Sequence, residues 1–419
     1  MPSPMRPITT PALLLAAALH GQDCTIPFTD SLFATHVEHD LWYGNAPRFD
    51  GGTDSLHLDL YKPAGDGQTA RPLVVLIHGG GFHAGHRTEL ATLAEDLAER
   101  GWVAATISYR LGFYGSWLFA PPYANDPSEV RRAIYRAQQD ARGAIRFLKG
   151  RHQLDSTSTS AVFTLGFSAG AITALHAAYL DRSAEKPADC GAIAPVQHFL
   201  NTYPRPDLGD IQGDLEQNGH DANVMGVVNF YGALMDTAYM ESPNDPALFS
   251  YHQTNDPVVG CGLQRPYWGL GLGLPDNNPY LYGSCAIDTR VQQLGFAPGR
   301  YRAVLHQGDA HTVHDPPALS AQAMQWMRDL FCDLTTAIGT PTSPQASLAP
   351  NPAHRTVAIT TGTSTPTHFD LRDTRGRMLQ QGTITGGHTD LDLSALPCGV
   401  YIVWLHGADG PAHLRFVKE

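Results

Sequence analysis

The fold expected of this sequence follows from two short glycine-rich stretches, His78-Gly79-Gly80-Gly81-Phe82 and Gly166-Phe167-Ser168-Ala169-Gly170. Apolar runs containing β-branched residues precede both stretches, at 72–77 and at 161–165. Such runs are typical of strands that are buried on both faces of a mostly parallel sheet. The alanine-rich segment 169–178 has the composition of a helix. The pattern therefore predicts an α/β protein in which both stretches lie at the carboxyl ends of strands.

The second stretch places Ser168 at an elbow between a strand and a helix. Gly166 and Gly170 leave room for the strained turn that lifts the serine Oγ clear of the backbone. The glycines of the first stretch can adopt positive φ and approach a substrate closely, so their peptide N–H groups can point at a developing oxyanion. The expected oxyanion donors are the N–H groups of Gly80, Gly81 and Ala169.

A nucleophilic serine needs a histidine base and an acid that orients this base. For a serine on such an elbow, the order along the chain is serine, acid, histidine. Downstream of Ser168, the segment 247–259 predicts a strand that ends in a turn carrying Asp256. The segment 302–306 predicts another strand, followed by a loop that carries His311. We therefore expect Asp256 to be the acid and His311 the base.

Each of these residues also has a plainer interpretation. Ser168 can be a serine of a surface turn in a fold without catalytic function. Asp256 can be a turn former ahead of Pro257, which leaves Asp236 as the rival acid. The sequence contains 20 histidines, most of which must have surface or packing roles. The histidines that compete with His311 in its own neighbourhood are His306 and His314.

Taken together, the motifs resemble the α/β-hydrolase superfamily, on the esterase and lipase branch with a His-Gly-Gly-Gly oxyanion motif. The resemblance covers roughly residues 40–335, including the flanking segments 58–63 and 107–111. It implies a mostly parallel twisted sheet flanked by helices, and a secreted serine hydrolase that cleaves carboxylic esters through an acyl-enzyme. The roles it implies are nucleophile for Ser168, base for His311 and acid for Asp256, with oxyanion donors at Gly80, Gly81 and Ala169.

This chemistry requires no cofactor. A metal site is not expected either, because His83 and His86 lack further ligands at workable spacing. Two other functions stay open: a serine peptidase of the same fold, and a non-catalytic surface-binding protein. The sequence displays neither the paired carboxylates nor the propeller domain usual in such peptidases, and an intact set of candidate residues argues against a silent scaffold.

Composition and charge narrow the class of partners. The 419 residues carry a formal net charge of −12 and no nucleic-acid-binding motif, so a polyanionic partner is not expected. The expected substrate is a small-molecule or polymer ester. We expect two segments to shape its pocket, the aromatic-rich 111–123 and the long stretch 181–222.

Both ends of the chain carry export signals. Residues 1–21 have the basic start and short apolar core of a signal peptide, and the apolar core is too short to span a bilayer. The expected catalytic domain covers 22–335, and a Thr/Pro/Ser-rich linker covers 336–347. Short strand-like runs in 348–419 predict a small antiparallel β-sandwich.

The last segment, 348–419, resembles the type A sorting domain of type IX secretion through motifs at 349–353, 373–377 and 392–401 and its closing residues. The resemblance implies recognition by the type IX machinery and a mature protein that is secreted or held at the cell surface. A carbohydrate-binding or adhesive β-module is the structural alternative.

Export also makes the six cysteines candidates for disulfides. Six cysteines allow 15 pairings, which the sequence does not resolve. The preferred local pair is Cys261 with Cys285, which would pin the Gly- and Pro-rich segment 262–284 beside the Asp256 turn. Free buried cysteines are the alternative. Lipidation of Cys24 is not expected, because Asp23 stands where a small residue is required.

Overall fold

The computed structural model describes residues 24, 26–65, 67–116, 123–269, 273–336, 346–361, 366–373, 378–407 and 410–419. The chain divides into two units, residues 1–333 and 334–419. The predicted signal peptide, 1–21, and most of the predicted linker, 336–347, lie outside the described residues.

The first unit is built on an eight-stranded sheet. Its antiparallel edge is a pair of long strands, and the remaining six strands run parallel to one another. In order across the sheet the strands are β1 (Ala34–Pro47), β2 (Thr53–Ala64), β4 (Val103–Ile107), β3 (Arg71–Ile77), β5 (Thr157–Phe167), β8 (Gly226–Phe230), β10 (Ala247–Gln253) and β13 (Tyr301–His306).

Helices cover both faces of this sheet. They are α1 (Ala91–Glu99), α2 (Pro127–Gly150), α3 (His152–Asp155), α4 (Ala169–Tyr179), α5 (Ser284–Leu294) and α6 (Pro316–Thr336). Single 3₁₀ turns lie at Arg87–Leu90, Ser183–Glu185, Ala188–Cys190, Thr237–Tyr239 and Leu274–Asn277. Short strands form a hairpin, β6 (Ile193–His198) with β7 (Asn201–Arg205), and a small sheet of β9 (Ala233–Leu234), β11 (Leu263–Gln264) and β12 (Leu281–Gly283).

Residues 72–77 of strand β3 are all apolar because the strand is buried on both faces of the sheet. Leu73, Val75 and Ile77 belong to a core cluster shared with α2 and α4, whereas Val74 and Leu76 belong to a second cluster shared with α1 and α6. Side chains alternate between the faces of a strand, so a sheet covered on both faces needs apolar residues at every position. The predicted α/β class with a mostly parallel sheet is confirmed.

Helix α2 holds the long segment 181–222 by donating side-chain hydrogen bonds to its carbonyl oxygens. The Arg132 guanidinium donates to the carbonyls of Asp189 and Gly191 at 2.8 and 2.9 Å. The Gln139 amide donates to those of Leu208 and Asp210 at 2.9 and 2.7 Å. These donors satisfy backbone carbonyls of a segment whose only regular elements are the β6–β7 hairpin and two 3₁₀ turns.

Two disulfides tie the first unit together. Cys261 is bonded to Cys285, which confirms the pair that the sequence favours. Cys24 is bonded to Cys332, 308 residues away along the chain. Of the remaining cysteines, Cys190 is buried and free, and Cys398, in the second unit, is exposed and free.

The second unit contains two antiparallel sheets. One has β14 (Ala346–Ala349), β15 (Thr356–Thr361) and β18 (His388–Asp392), and the other has β17 (Met378–Ile384), β16 (Thr367–Asp373), β19 (Gly399–Gly407) and β20 (Gly410–Lys418). One apolar cluster draws on both sheets, including Val357 and Ile359 from the first and Leu371 and Val403 from the second. Their alternation with exposed residues is the period-2 pattern of a sandwich, which confirms the predicted C-terminal β-architecture.

We expect Cys24→Ser to lower the free energy of unfolding of the oxidised protein by about 2–4 kcal/mol, because the crosslink restricts a very long loop in the unfolded chain. Urea unfolding followed by circular dichroism measures the effect. The control is Cys398→Ser, which removes an exposed, unbonded thiol. Equal stability of both variants in the absence of reductant would contradict the expected contribution.

Candidate active site

Ser168 lies between β5 and α4, in the conformation that its glycine neighbours predict. Its φ of 54° and ψ of −121° fall outside the regions that non-glycine residues usually occupy. The following residues enter α4 directly, so the serine stands at the amino terminus of a buried helix. The elbow therefore presents Oγ at the carboxyl edge of the sheet.

Close backbone packing explains the two glycines of the elbow. A Cβ on Gly166 would lie 2.3 Å from the carbonyl carbon of Gly170. A Cβ on Gly170 would lie 2.1 Å from the carbonyl oxygen of Ile77 and 2.5 Å from that of His78. These obstacles are backbone atoms, which cannot rotate away as a flexible side chain can. The elbow is thus pressed directly against the end of β3.

The structure brings Ser168, His311 and Asp256 into one chain of hydrogen bonds. His311 Nε2 lies 2.8 Å from Ser168 Oγ, and His311 Nδ1 lies 2.7 Å from Asp256 Oδ2. Asp256 follows β10 and His311 follows β13, so both stand at the same edge of the sheet as the elbow. The ring of Tyr231 packs edge-on against the His311 imidazole, with 4.7 Å between their centroids.

The competing residues lie elsewhere. The carboxylate of Asp236 accepts a hydrogen bond from the Ala238 N–H at 2.8 Å and caps a 3₁₀ turn. His306 and His314 stack on each other with 3.7 Å between ring centroids, and His314 Nδ1 lies 3.2 Å from the Tyr251 hydroxyl. Neither histidine occupies the place beside Ser168 Oγ that His311 holds.

Asp256 is fully buried and is held as a carboxylate. Burial alone would raise its pKa, but hydrogen bonds from His252 and His311, together with the backbone N–H of Val258, lower the pKa to about 2. Its Oδ1 accepts from the N–H groups of Val258 and Val259 at 2.8 and 3.1 Å. The carboxylate is thereby fixed with Oδ2 facing the imidazole of His311.

The glycine loop after β3 takes the predicted left-handed turns, with φ of 108° at Gly80 and 60° at Gly81. Among the described residues, the N–H groups of Gly80, Gly81 and Ala169 donate to no backbone acceptor. Tyr109 holds the start of the loop, since its hydroxyl donates a hydrogen bond to the His78 carbonyl at 3.0 Å. Of these three residues, Gly81 and Ala169 also line the cavity beside Ser168.

An apolar cavity of about 50 Å³ opens beside Ser168. Its aromatic walls are Phe82 from the glycine stretch, Phe113 and Tyr123 from the segment 111–123, and Tyr267 from within the loop that the Cys261–Cys285 disulfide closes. The lining residues are Gly81, Phe82, Phe113, Tyr123, Ala124, Val130, Ser168, Ala169, Ile172, Val258, Val259, Pro266, Tyr267, Asn278 and Leu281.

One expectation about this cavity is wrong. The described lining contains no residue from 181–222. That segment packs on α2 and, through Tyr203, against Tyr114. Phe113 and Tyr123 do line the cavity, as expected for the aromatic-rich segment 111–123, of which 117–122 lie outside the described residues. The segment 258–281 supplies a wall that the sequence reasoning missed. Its only signal was the predicted disulfide that pins 262–284 near Asp256.

The elbow at the carboxyl edge of a mostly parallel sheet defines the first unit as an α/β-hydrolase. Residues 58–262 match the BD-FAE family model, and residues 347–419 match the model of the secretion system C-terminal sorting domain. The chain therefore carries an esterase-family α/β-hydrolase domain followed by a type IX sorting domain. This second domain directs the protein to the cell surface or into the medium through the type IX machinery.

Two curated relatives share shorter stretches with the chain. Juvenile hormone esterase of Tribolium castaneum is 32% identical over 79 residues, which are 19% of this chain and 13% of that protein. Neuroligin-like protein glit-1 of Caenorhabditis elegans is 32% identical over 120 residues, 28% of this chain and 15% of that protein. The matches thus span about one seventh of each relative's length.

The chain is also similar to solved structures. One is Thermogutta terrifontis esterase 2 phosphorylated by paraoxon, with 18% sequence identity and a TM-score of 0.44, over 73% of this chain and 95% of that one. Another is the truncated form of a carbohydrate esterase from gut microbiota, with 14% identity and a TM-score of 0.45 over 73% and 98%. Among the described residues, no helix has both the length and the apolar character that a bilayer crossing requires.

We expect Gly170→Ala to lower the free energy of unfolding by about 1–3 kcal/mol, because the new methyl group meets the backbone at the end of β3. Chemical denaturation of both proteins measures the difference. Gly67→Ala is the control, since a Cβ there meets no atom within 4 Å. If the two substitutions cost the same, the close packing of the elbow does not limit this position.

The carboxylate of Asp256 should also make stability depend on pH. Its folded pKa of about 2 lies below the usual 3.8, so ionised Asp256 stabilises the fold by about 2 kcal/mol above roughly pH 4. This contribution is lost as the pH falls from about 4 towards about 2. We expect the gap in unfolding free energy between wild type and Asp256→Asn to shrink over that range. A gap independent of pH would contradict the lowered pKa.

Proposed function

We propose that the protein is a secreted serine esterase that cleaves carboxylic esters through the triad Ser168, His311 and Asp256 and an acyl-enzyme intermediate. The observation that carries this proposal is the unbroken chain of hydrogen bonds from Asp256 Oδ2 through the His311 imidazole to Ser168 Oγ. Membership of the esterase-family α/β-hydrolases supports the same reaction class.

In the first half of the reaction, Ser168 Oγ attacks the ester carbonyl carbon while His311 Nε2 accepts the hydroxyl proton. Asp256 keeps the proton of the neutral imidazole on Nδ1, leaves Nε2 free to act as the base, and stabilises the imidazolium that forms. His311 then gives its proton to the departing alkoxide. In the second half, a water molecule repeats the cycle on the acyl-enzyme and releases the acid.

The negative charge that develops on the carbonyl oxygen would be held by the N–H groups of Gly80, Gly81 and Ala169. Each preorganised donor of this kind is typically worth about 3 kcal/mol of transition-state stabilisation. The amino terminus of α4 adds a partial positive charge on the same side. This oxyanion site depends on backbone groups alone and so requires no cofactor.

The cavity beside Ser168 favours a short acyl group. Its volume of about 50 Å³ is far below the roughly 300–1,000 Å³ of pockets that enclose drug-sized ligands, so it suits a small group. Phe82, Tyr123 and Tyr267 limit its extension. We therefore propose acetyl or propionyl esters as the preferred acyl class. The alcohol part of the substrate would lie outside the cavity.

The test is hydrolysis of p-nitrophenyl esters from acetate to palmitate by the purified full chain. We expect kcat/KM to be highest for acetate and propionate and to fall at least about tenfold by octanoate, since each extra methylene must leave the small cavity. Ser168→Ala should lower kcat at least about 10⁴-fold.

Three results would contradict all or part of the proposal. A folded protein that hydrolyses none of the esters is not a general esterase, and cleavage of peptide amides would then favour the serine peptidase of the same fold. Hydrolysis that survives in Ser168→Ala would remove the serine from the mechanism. A preference for palmitate would overturn the short-acyl assignment while leaving the triad in place.

A further inference from the structure

His252 and Gln253, the last two residues of β10, are buried polar side chains that take no part in the chemical steps above. We propose that both are positioning residues for the esterase reaction: His252 holds the turn of the acid, Asp256, and Gln253 holds the loop of the base, His311. This inference rests on the proposed function, which it extends to the residues that keep the triad in register.

Gln253 contacts the His311 loop on both sides of the histidine. Its Nε2 donates to the carbonyl of Thr312 at 2.9 Å, and its Oε1 accepts from the N–H of Ala310 at 3.0 Å. One amide therefore fixes both ends of the segment Ala310–Thr312, which has His311 at its centre. A side chain with one donor and one acceptor at this spacing is required, because the loop offers one carbonyl and one N–H.

The loop also lies directly on this amide. A Cβ on Gly308 would stand 2.1 Å from Gln253 Oε1, so the backbone approaches as closely as a glycine permits. Further bonds join the two segments, from the Thr254 N–H to the His306 carbonyl at 2.9 Å and from the Asn255 N–H to the Gly308 carbonyl at 2.9 Å. These contacts fix the position of His311 relative to the end of β10.

His252 points to the opposite side and holds the Asp256 turn. Its Nε2 lies 2.8 Å from the Val259 carbonyl oxygen and 3.5 Å from Asp256 Oδ2. The carbonyl can only accept, so the hydrogen-bond network assigns the ring proton to Nε2. The Nε2–H group of His252 thus faces both the Val259 carbonyl and the Asp256 carboxylate.

A buried polar chain fixes the other nitrogen of this ring. His252 Nδ1 lies 2.9 Å from Ser284 Oγ, which in turn accepts from Ser250 Oγ at 2.9 Å. The Asn229 amide donates to Ser250 Oγ at 2.8 Å. Every donor in this chain finds an acceptor when Ser284 donates to Nδ1, so the network orients the His252 ring with Nε2 facing the Asp256 turn.

These contacts set the geometry on which the rate depends. The acid and the base lie on separate loops, and each loop is fixed by the neighbouring residue of one rigid strand. A displacement of about 1 Å in a catalytic group can cost about 100-fold in rate. Loss of either side chain should therefore lower kcat more than it raises KM, because the small acyl cavity is built mostly from other residues.

The experiment compares kcat and KM for p-nitrophenyl acetate in the full chain carrying His252→Phe or Gln253→Met, which are close in volume but lack the hydrogen-bonding groups. We expect kcat to fall about 10- to 100-fold, with KM within about threefold of wild type. His252→Gln keeps an N–H donor and should recover kcat to within about fivefold of wild type. Gln253→Glu keeps only the acceptor and should recover less.

The matched control is Gln138→Met. The amide of Gln138 is equally buried and donates to the Ile211 carbonyl at 2.9 Å, away from the triad. This variant should lose stability without losing kcat per folded molecule. If His252→Phe and Gln253→Met behave in the same way, with kcat within about threefold of wild type, both residues are merely structural and the inference is overturned.

A second readout separates this inference from the proposed function. The rate at which a fluorophosphonate labels Ser168 reports the assembled triad without any ester substrate. Wild type that is labelled but hydrolyses no ester would refute the proposed activity, while slower labelling of the two variants would still support the positioning roles. If His252→Phe or Gln253→Met fails to fold, Gln253→Glu decides the outcome: a fall in kcat of more than about threefold with KM unchanged supports the inference, and kcat within about threefold of wild type overturns it.

Discussion

The contact on which the rest of the site depends is the close approach of the nucleophile elbow to the end of β3. Gly170, in the first turn of α4, lies against the carbonyl oxygens of Ile77 and His78 with no space for a Cβ. This contact brings the helix amino terminus, the serine and the glycine loop within reach of one substrate carbonyl. A side chain at this position would push Ser168 away from the glycine loop.

The parallel sheet supplies the remaining partners. In such a sheet, loops after neighbouring strands emerge at one edge, so residues far apart along the chain can meet there. Ser168 follows β5, Asp256 follows β10 and His311 follows β13, and one continuous set of hydrogen bonds joins them. The loops themselves are irregular, and buried polar side chains at the end of β10 tie them to the rigid strand.

The two units are stabilised by hydrophobic cores of different size. The hydrolase unit has a large core on both faces of its sheet. One of its disulfides pins the segment 262–284, and the other joins Cys24 to Cys332, which lies in that core. The sorting domain has a small apolar core between two antiparallel sheets. Disulfides persist outside the reducing cytosol, so their presence agrees with the export that the sorting domain directs.

The sequence alone determined the α/β class and the elbow at Ser168, and it favoured Cys261 with Cys285 as a local disulfide. This information lies in local patterns: continuous apolar runs typical of buried strands, glycines where the backbone must adopt positive φ, and two cysteines that bracket one loop. It also singled out Asp256 and His311, because the order of triad residues follows the order of strands. His306 and His314 could be set aside only once the loop after β13 was folded.

The tertiary structure decided the walls of the cavity, the bond between Cys24 and Cys332, and the contacts of His252 and Gln253. These features join segments that are distant along the chain, and no local periodicity encodes which distant segments meet. The stretch 181–222 shows the difference, since its length suggested a pocket wall, whereas the buried donors of α2 hold it against that helix. Local patterns specify strands and turns, but hydrogen bonding and packing between segments determine which side chains surround the serine.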